Sequence, residues 1–246
     1  MSRLGIIAAT EAEAKLLTDS PAKAGIPLSL GEDCVLILAG MGSSNALQAC
    51  QALHTQGCDY LLSWGTAGSL ASGFNSGAII LPQQVWDEQG QALPVSDALS
   101  HALRQMLNKL DSAFIEHDIH QVSEEICGLQ DKQRLHEQQG MDIVDMESAS
   151  IVSYARQHKL QAAVLRCICD SSDMVLPRAI LSSVNAYGQV HFSKLMWSLL
   201  KDPADIKHLI LLAQAFRHSS QSLRRCAPEL LNWARYLSTE NRPFDA

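Results

Sequence analysis

Short apolar runs alternate along the chain with segments whose apolar residues recur at helical spacing. Leu4 to Ala9, Cys34 to Ala39, Tyr60 to Trp64, Ala78 to Leu81, Ala113 to His120, Ile143 to Asp145 and Ala162 to Ile168 read as strands. Between them, Glu11 to Thr18, Ser44 to Thr55, Asp97 to Leu110, Asp131 to Gln139 and Ser148 to His158 read as helices. Ser96 or Asp97 is placed to cap the third of these, and Gly140 stops the fourth. Beyond Pro177 the character turns helical, with candidates at Phe192 to Leu200, Asp205 to about Arg217 and Leu230 to Leu237. Strands alternating with helices imply an α/β fold with a largely parallel sheet covered on both faces. No repeat or linker interrupts the pattern, so residues 1–246 are expected to form one domain with a helical extension over about 190–240.

Composition narrows the function classes. The chain has 246 residues, 47% hydrophobic and 18% charged, enough to bury a full core. A net charge of −7 disfavours a general nucleic-acid binder, which needs a basic face. No apolar run is long enough to span a bilayer, and acids follow the first apolar stretch where a secretory signal would have its cleavage site. A cytoplasmic protein is therefore expected. Seven cysteines, several inside apolar runs, argue against a disulfide framework. Cys167 and Cys169 form a C-x-C pair and His117 and His120 an H-x-x-H pair. Neither has a matching further ligand, so no metal is expected.

Candidate chemistry gathers at predicted strand ends, where ligands collect on such sheets. Three glycine-rich turns follow strands: Gly40-Met41-Gly42, Gly65-Thr66-Ala67-Gly68 and the Gly73 to Gly77 segment. Glycines there let backbone N–H groups approach an anion or sugar, and equally well make a tight turn. The first lacks the Gly-Lys-Ser/Thr ending of a phosphate-binding loop. Acids sit at the same boundaries: Glu13 after the first strand, Asp145 and Glu147 around Met146, and Asp170 and Asp173 after the last strand. Each singly reads as a helix cap or a charge at a helix N-terminus. Together they suit glycosyl transfer from a heterocyclic base: one acid protonates the leaving base, and carboxylates stabilise an oxocarbenium-like sugar.

The segments GIIAATEAEAKLL, AGMGSSNA, SWGTAGSLASGFNSGAIIL, VDMESAS and VLRCICDSSD occur in the order and spacing of the purine nucleoside phosphorylase and methylthioadenosine/S-adenosylhomocysteine nucleosidase superfamily. The resemblance runs from Leu4 to Asp173. Within the superfamily the chain most resembles the hopanoid-associated phosphorylases. The carriers are the short segment after Ile80, Ser63-Trp64 before the glycine turn, and the tail with Leu176-Pro177 and a Gly-containing turn. That resemblance implies phosphorolysis of adenosylhopane to adenine and a ribosylhopane phosphate, with phosphate as co-substrate, no other cofactor, and a homodimer. Alternatives are a hydrolytic methylthioadenosine/S-adenosylhomocysteine nucleosidase and a non-catalytic nucleoside-binding protein, the latter disfavoured because Asp170 and Glu147 are both present.

Carried over by motif, the resemblance makes Asp170 the acid that protonates purine N7 and Glu13 the acid that activates water. Glu147 would bind the ribose hydroxyls and Met146 would pack beneath the sugar. Gly42 and Thr66 would line the nucleophile or sugar end, with Gly68 in the same substrate-binding set. Arg166 would orient, and Cys127 or its neighbour Ile126 would lie against the base. Three positions depart from the pattern. Cys169 replaces a Ser before the acid, Thr66 replaces a Ser, and Ser63 stands where classical bacterial phosphorylases carry a phosphate-binding Arg. At the C-terminus, Leu195, Met196, Trp197, Leu199 and Leu200 with Leu209, Ile210, Leu211 and Leu212 form an apolar stripe edged by Arg217, Arg224 and Arg225. Such a stripe suits a greasy substrate or a membrane surface, or simply packs on the sheet or at a dimer face, the reading favoured here.

Overall fold

A computed structural model describes residues 3–176, 183–189 and 205–240. Among these described residues, eleven strands form one mixed sheet. Its centre is β4 (Cys58–Ser69), flanked by β1 (Arg3–Ala8) on one side and β11 (Gln161–Asp170) on the other, both parallel to it. β3 (Cys34–Leu38) continues the sheet in parallel beyond β1, and the two-residue β2 (Leu28–Ser29) ends it in antiparallel. β5 (Ile79–Ile80) runs antiparallel to β11 and parallel to β8 (Phe114–Ile115). The far end of β4 also pairs, antiparallel, with β10 (Ile143–Asp145), which leads through β9 (Ile119–Gln121) to β6 (Gln84–Trp86) and β7 (Ala92–Pro94).

Alternation along the central strands supplies two cores. Leu4, Ile6 and Ala8 of β1, Tyr60, Leu62 and Trp64 of β4, and Ala163, Leu165 and Cys167 of β11 face one side. Ile7, Leu61, Val164 and Ile168 face the other. The first face is covered by α1 (Glu11–Ala14), α3 (Asp97–Lys109) and the C-terminal helix α6 (Asp205–Glu240). The second is covered by α2 (Ser43–Thr55) and α5 (Ser148–Gln157). The sheet is thus buried on both sides, as its continuous apolar strands require.

Several element readings need correction. Gly65-Thr66-Ala67-Gly68 is not a turn, because β4 runs on through it to Ser69, held by β11. Ala113 to His120 splits into β8 and β9, which pair in different parts of the sheet. Helix α1 stops at Ala14 instead of Thr18. The two helices predicted at Asp205 to Arg217 and Leu230 to Leu237 are one helix that passes through Pro228. Proline normally ends a helix by removing a donor. Here Leu223, Cys226, Ala227, Leu230 and Ala234, on both sides of Pro228, are anchored in the core. Of the C-terminal apolar stripe, Leu195 to Leu200 lie outside the described residues, as does the helix expected at Phe192 to Leu200.

Candidate active site

Three strand ends deliver acids to one cleft beside the far half of β4. It has a volume of about 210 Å³ and is lined in part by Glu13, Met146, Glu147 and Asp170. A larger groove of about 880 Å³, lined by Trp86, Glu116, His117 and His120 among others, contains none of these acids. We place the site in the smaller cleft, because convergent buried acids identify a site better than volume does.

Glu13 is held from two sides. Thr10 caps α1 in a capping box: its hydroxyl accepts from the Glu13 N–H (3.3 Å), and its N–H donates to Glu13 Oε2 (3.0 Å). Across the sheet, the Thr66 N–H and hydroxyl both donate to Glu13 Oε1, at 2.7 and 2.8 Å. The hydroxyl that Thr66 shares with the expected Ser is therefore used. Gly65 makes this approach feasible. A Cβ there would stand 2.5 Å from Glu13 Oε1 and 2.6 Å from Arg166 Nη1.

Arg166 braces the second acid cluster from beneath. Its Nε donates to Asp145 Oδ2 (2.8 Å) and its Nη2 to Glu147 Oε2 (3.0 Å). The Gly42 N–H, at the start of α2, donates to Glu147 Oε1 (2.9 Å). Both Glu147 oxygens are thereby oriented. Burial pushes the Glu147 carboxyl up to about 7, against the opposing pull of Arg166. Asp145 also accepts from the Ser148 backbone N–H and hydroxyl. Ser63 is fully buried, its hydroxyl 3.1 Å from that of Ser148. The position expected to carry an Arg in phosphorylases thus belongs to the packed support of Arg166 and does not line the cleft.

Asp170 ends β11. The register between β11 and β4 shifts between Ile168 and Asp170, and adjacent Cys169 and Asp170 both line the cleft. Regular alternation would send them to opposite faces, so the irregularity re-aims the strand end. Asp170 Oδ1 accepts from the Lys132 Nζ at 2.7 Å. Burial pushes the Asp170 carboxyl up to about 6, despite the opposing Lys132 charge. Cys169, in the place of the expected Ser, has a thiol pushed up to about 12 by burial, so it stays neutral.

Of the residues singled out from the sequence, Glu13, Thr66, Gly68, Met146, Glu147 and Asp170 line the cleft together. Gly42 and Arg166 stand behind it and act on Glu147. Cys127 is not in the lining; its neighbour Ile126 is, because the Cys127 thiol turns back to the Glu125 carbonyl. Sequence reasoning missed Lys132, which falls within the short helix expected at Asp131 to Gln139. It also missed residues 183–189, which join the rim: the Glu11 N–H donates to the Tyr187 carbonyl and the Met41 N–H to the Ala186 carbonyl. The Gly in the tail was a usable signal for the second. Gly188 packs on Thr10, and a Cβ there would lie 2.9 Å from that residue's Cβ.

The mixed sheet brings buried carboxylates together at its strand ends, an arrangement that fits an α/β enzyme. Residues 3–180 match the phosphorylase superfamily, and the chain belongs to that family of nucleoside-cleaving enzymes. No curated protein sequence matches the chain significantly. Among solved structures it is similar to a Neisseria meningitidis 5′-methylthioadenosine/S-adenosylhomocysteine nucleosidase in complex with methylthio-immucillin-A. That match has 16% identity and a TM-score of 0.68, covering 94% of this chain and 99% of the other. A mutant of the Helicobacter pylori nucleosidase with 5′-methylthioadenosine in its active site gives 15% identity and a TM-score of 0.66, with coverages of 96% and 99%. Futalosine hydrolase of Helicobacter pylori gives 15% and 0.65, with coverages of 93% and 98%. At these identities the likeness is one of fold.

Proposed function

We propose that the cleft binds a 5′-modified adenosine and breaks its N-glycosidic bond. Asp170 donates a proton to purine N7 as the C1′–N9 bond breaks, and Glu147 accepts hydrogen bonds from the ribose hydroxyls, with Met146 beneath the sugar. A neutral purine leaves far more readily than its anion, and a positioned general acid typically contributes about 100- to 10,000-fold. The observation that carries the reading is the convergence of buried Glu13, Glu147 and Asp170 on one cleft, with the Asp170 carboxyl raised to about 6, where both proton states are accessible.

For the nucleophile, water fits this cleft better than phosphate. Among the described residues, the charged lining is entirely acidic, including Glu13, Glu124, Glu147 and Asp170. Arg166 and Lys132 are committed to carboxylates. A phosphate dianion would enter without an uncommitted cation to receive it. Glu13, fixed by Thr10 and Thr66, is the group to orient and deprotonate water.

Phosphorolysis of adenosylhopane is the second reading. It draws on the sequence resemblance and on the apolar side of the cleft. Ile126, Leu176 and Leu212 line it, and next to Leu212 the start of α6 exposes Ile206, Ile210 and Leu211. A greasy 5′ group leaving the cleft would meet this stripe. In this reading the chain works as a homodimer with α6 at a membrane surface, although no helix among the described residues is long and apolar enough to cross one.

The test is adenine release from methylthioadenosine and from adenosylhopane, each with and without phosphate. Phosphate-independent release is expected. Release that requires phosphate and yields a sugar phosphate would overturn the choice of water. Asp170→Asn is expected to abolish turnover with folding intact. Unchanged release would remove Asp170 from the acid role.

A further inference from the structure

Helix α4 (Leu129–Gln139) is polar almost throughout, and its one buried residue among those described is a lysine. Lys132 is 1% exposed. Lysine is almost never fully buried unless it is paired, and the first turn of a helix is the end whose dipole disfavours a cation. Both costs are met at one place. The Lys132 Nζ donates at 2.7 Å to Asp170 Oδ1 and at 2.7 Å to the carbonyl of Ser171. It therefore grips the end of β11 on both sides of the Asp170–Ser171 peptide. Because Oδ1 is taken, the oxygen without a hydrogen-bond partner among the described residues is Oδ2, and it lies on the Gly68 side: a Cβ at Gly68 would stand 3.5 Å from it.

We propose that Lys132 is the positioning residue of the acid: it reserves Asp170 Oδ1, confines the transferable proton to Oδ2 over Gly68, and stabilises the carboxylate left after the proton has gone to the base. The inference rests on the acid role given to Asp170. The step balances simply. The Oδ2–H bond breaks and an N7–H bond forms, the C1′–N9 electron pair goes to the purine, and Lys132 keeps all its protons. The charged and titratable groups that act on Asp170 are Lys132 from α4, Asp173 beyond the end of β11, and the thiols of Cys169 beside it and Cys127 before α4. Of these Lys132 alone is a cation, so it alone favours the ionised acid.

The test is the pH profile of kcat/KM for Lys132→Met and Lys132→Arg, with folding checked by circular dichroism. The wild-type rate should fall as the pH rises and Asp170 loses its proton. In Lys132→Met that falling limb should move up by one unit or more, with a plateau at least tenfold lower, whereas Lys132→Arg should keep the limb within half a unit of wild type. A folded Lys132→Met enzyme with an unmoved limb would overturn the proposal. Infrared difference spectra between wild type and Asp170→Asn read the carboxyl without altering Lys132. An ionised Asp170 at pH 7.5 is expected, and a carboxyl still protonated at pH 8 would overturn the pairing. The two levels separate cleanly. If Asp170→Asn keeps turnover, the acid reading fails. If it loses turnover while the Lys132→Met limb stays in place, only the role of Lys132 fails.

Discussion

Replacing Gly65 by alanine adds a single methyl group at the point where the site is tightest. That methyl would sit 2.5 Å from Glu13 Oε1 and 2.6 Å from Arg166 Nη1. A comfortable carbon–oxygen approach is about 3.3 Å, so one side must retreat by roughly 0.8 Å. Neither side is free to do so. Glu13 is tied through Thr10 and by two bonds from Thr66, and Arg166 by bonds to Asp145 and Glu147. Overpacking of this kind costs about 1–3 kcal/mol, and a displacement near 1 Å at a reacting centre costs about 100-fold in rate. The expected outcome is an unfolding free energy lowered by that amount, read as a lower urea midpoint, and adenine release reduced about 100-fold, with little change in secondary structure. An unchanged midpoint together with activity within threefold of wild type would refute the close-approach argument. It would mean that Glu13 and Arg166 are held far less firmly than their hydrogen bonds imply.

Arg166→Met strips the cation from two buried carboxylates, Asp145 and Glu147. Breaking a buried pair from one side costs about 3–5 kcal/mol, a large part of a typical total stability, and chemical denaturation reads it directly. The pH dependence of stability carries its own sign. Glu147 is raised from 4.5 to about 7 and Asp170 from 3.8 to about 6 by burial, so between those limits the folded state holds more protons than the unfolded one. Their contribution is complete below pH 4 and is lost as the pH rises through 6 and 7. Glu147→Gln should flatten that loss in denaturation series at pH 4.5, 6 and 7.5; an identical slope in the variant would contradict it.

Much of the architecture was legible because it rests on local pattern. The apolar runs of β1, β3, β4 and β11 and the helical spacing of α2, α3 and α5 are short-range signals, and each element lies close to its predicted place. The misreadings have a common cause. Gly65 to Gly68 has turn composition, yet pairing with β11 keeps it a strand. Pro228 is a helix breaker in isolation, yet core contacts on both sides of it hold one helix. The run from Ala113 to His120 splits because its two halves pair in different parts of the sheet. In each case tertiary contacts outweigh local preference.

The site divides in the same way. The residue types, their order and their position at strand ends were all present in the sequence, which made Glu13, Glu147 and Asp170 candidates before any coordinates. What each side chain touches was not. Arg166 lies 19 residues from Glu147 and Lys132 lies 38 from Asp170 along the chain. No periodicity links them, and in a polar helix a lysine reads as a solvated charge. Only the packing of α4 against the end of β11 removes the water from Lys132 and leaves a carboxylate as its partner. The sequence by itself determined which acids were available and roughly where the sheet would bring them. The folded chain decided which cation stands behind each one, because desolvation and pairing depend on distances in space and not along the chain.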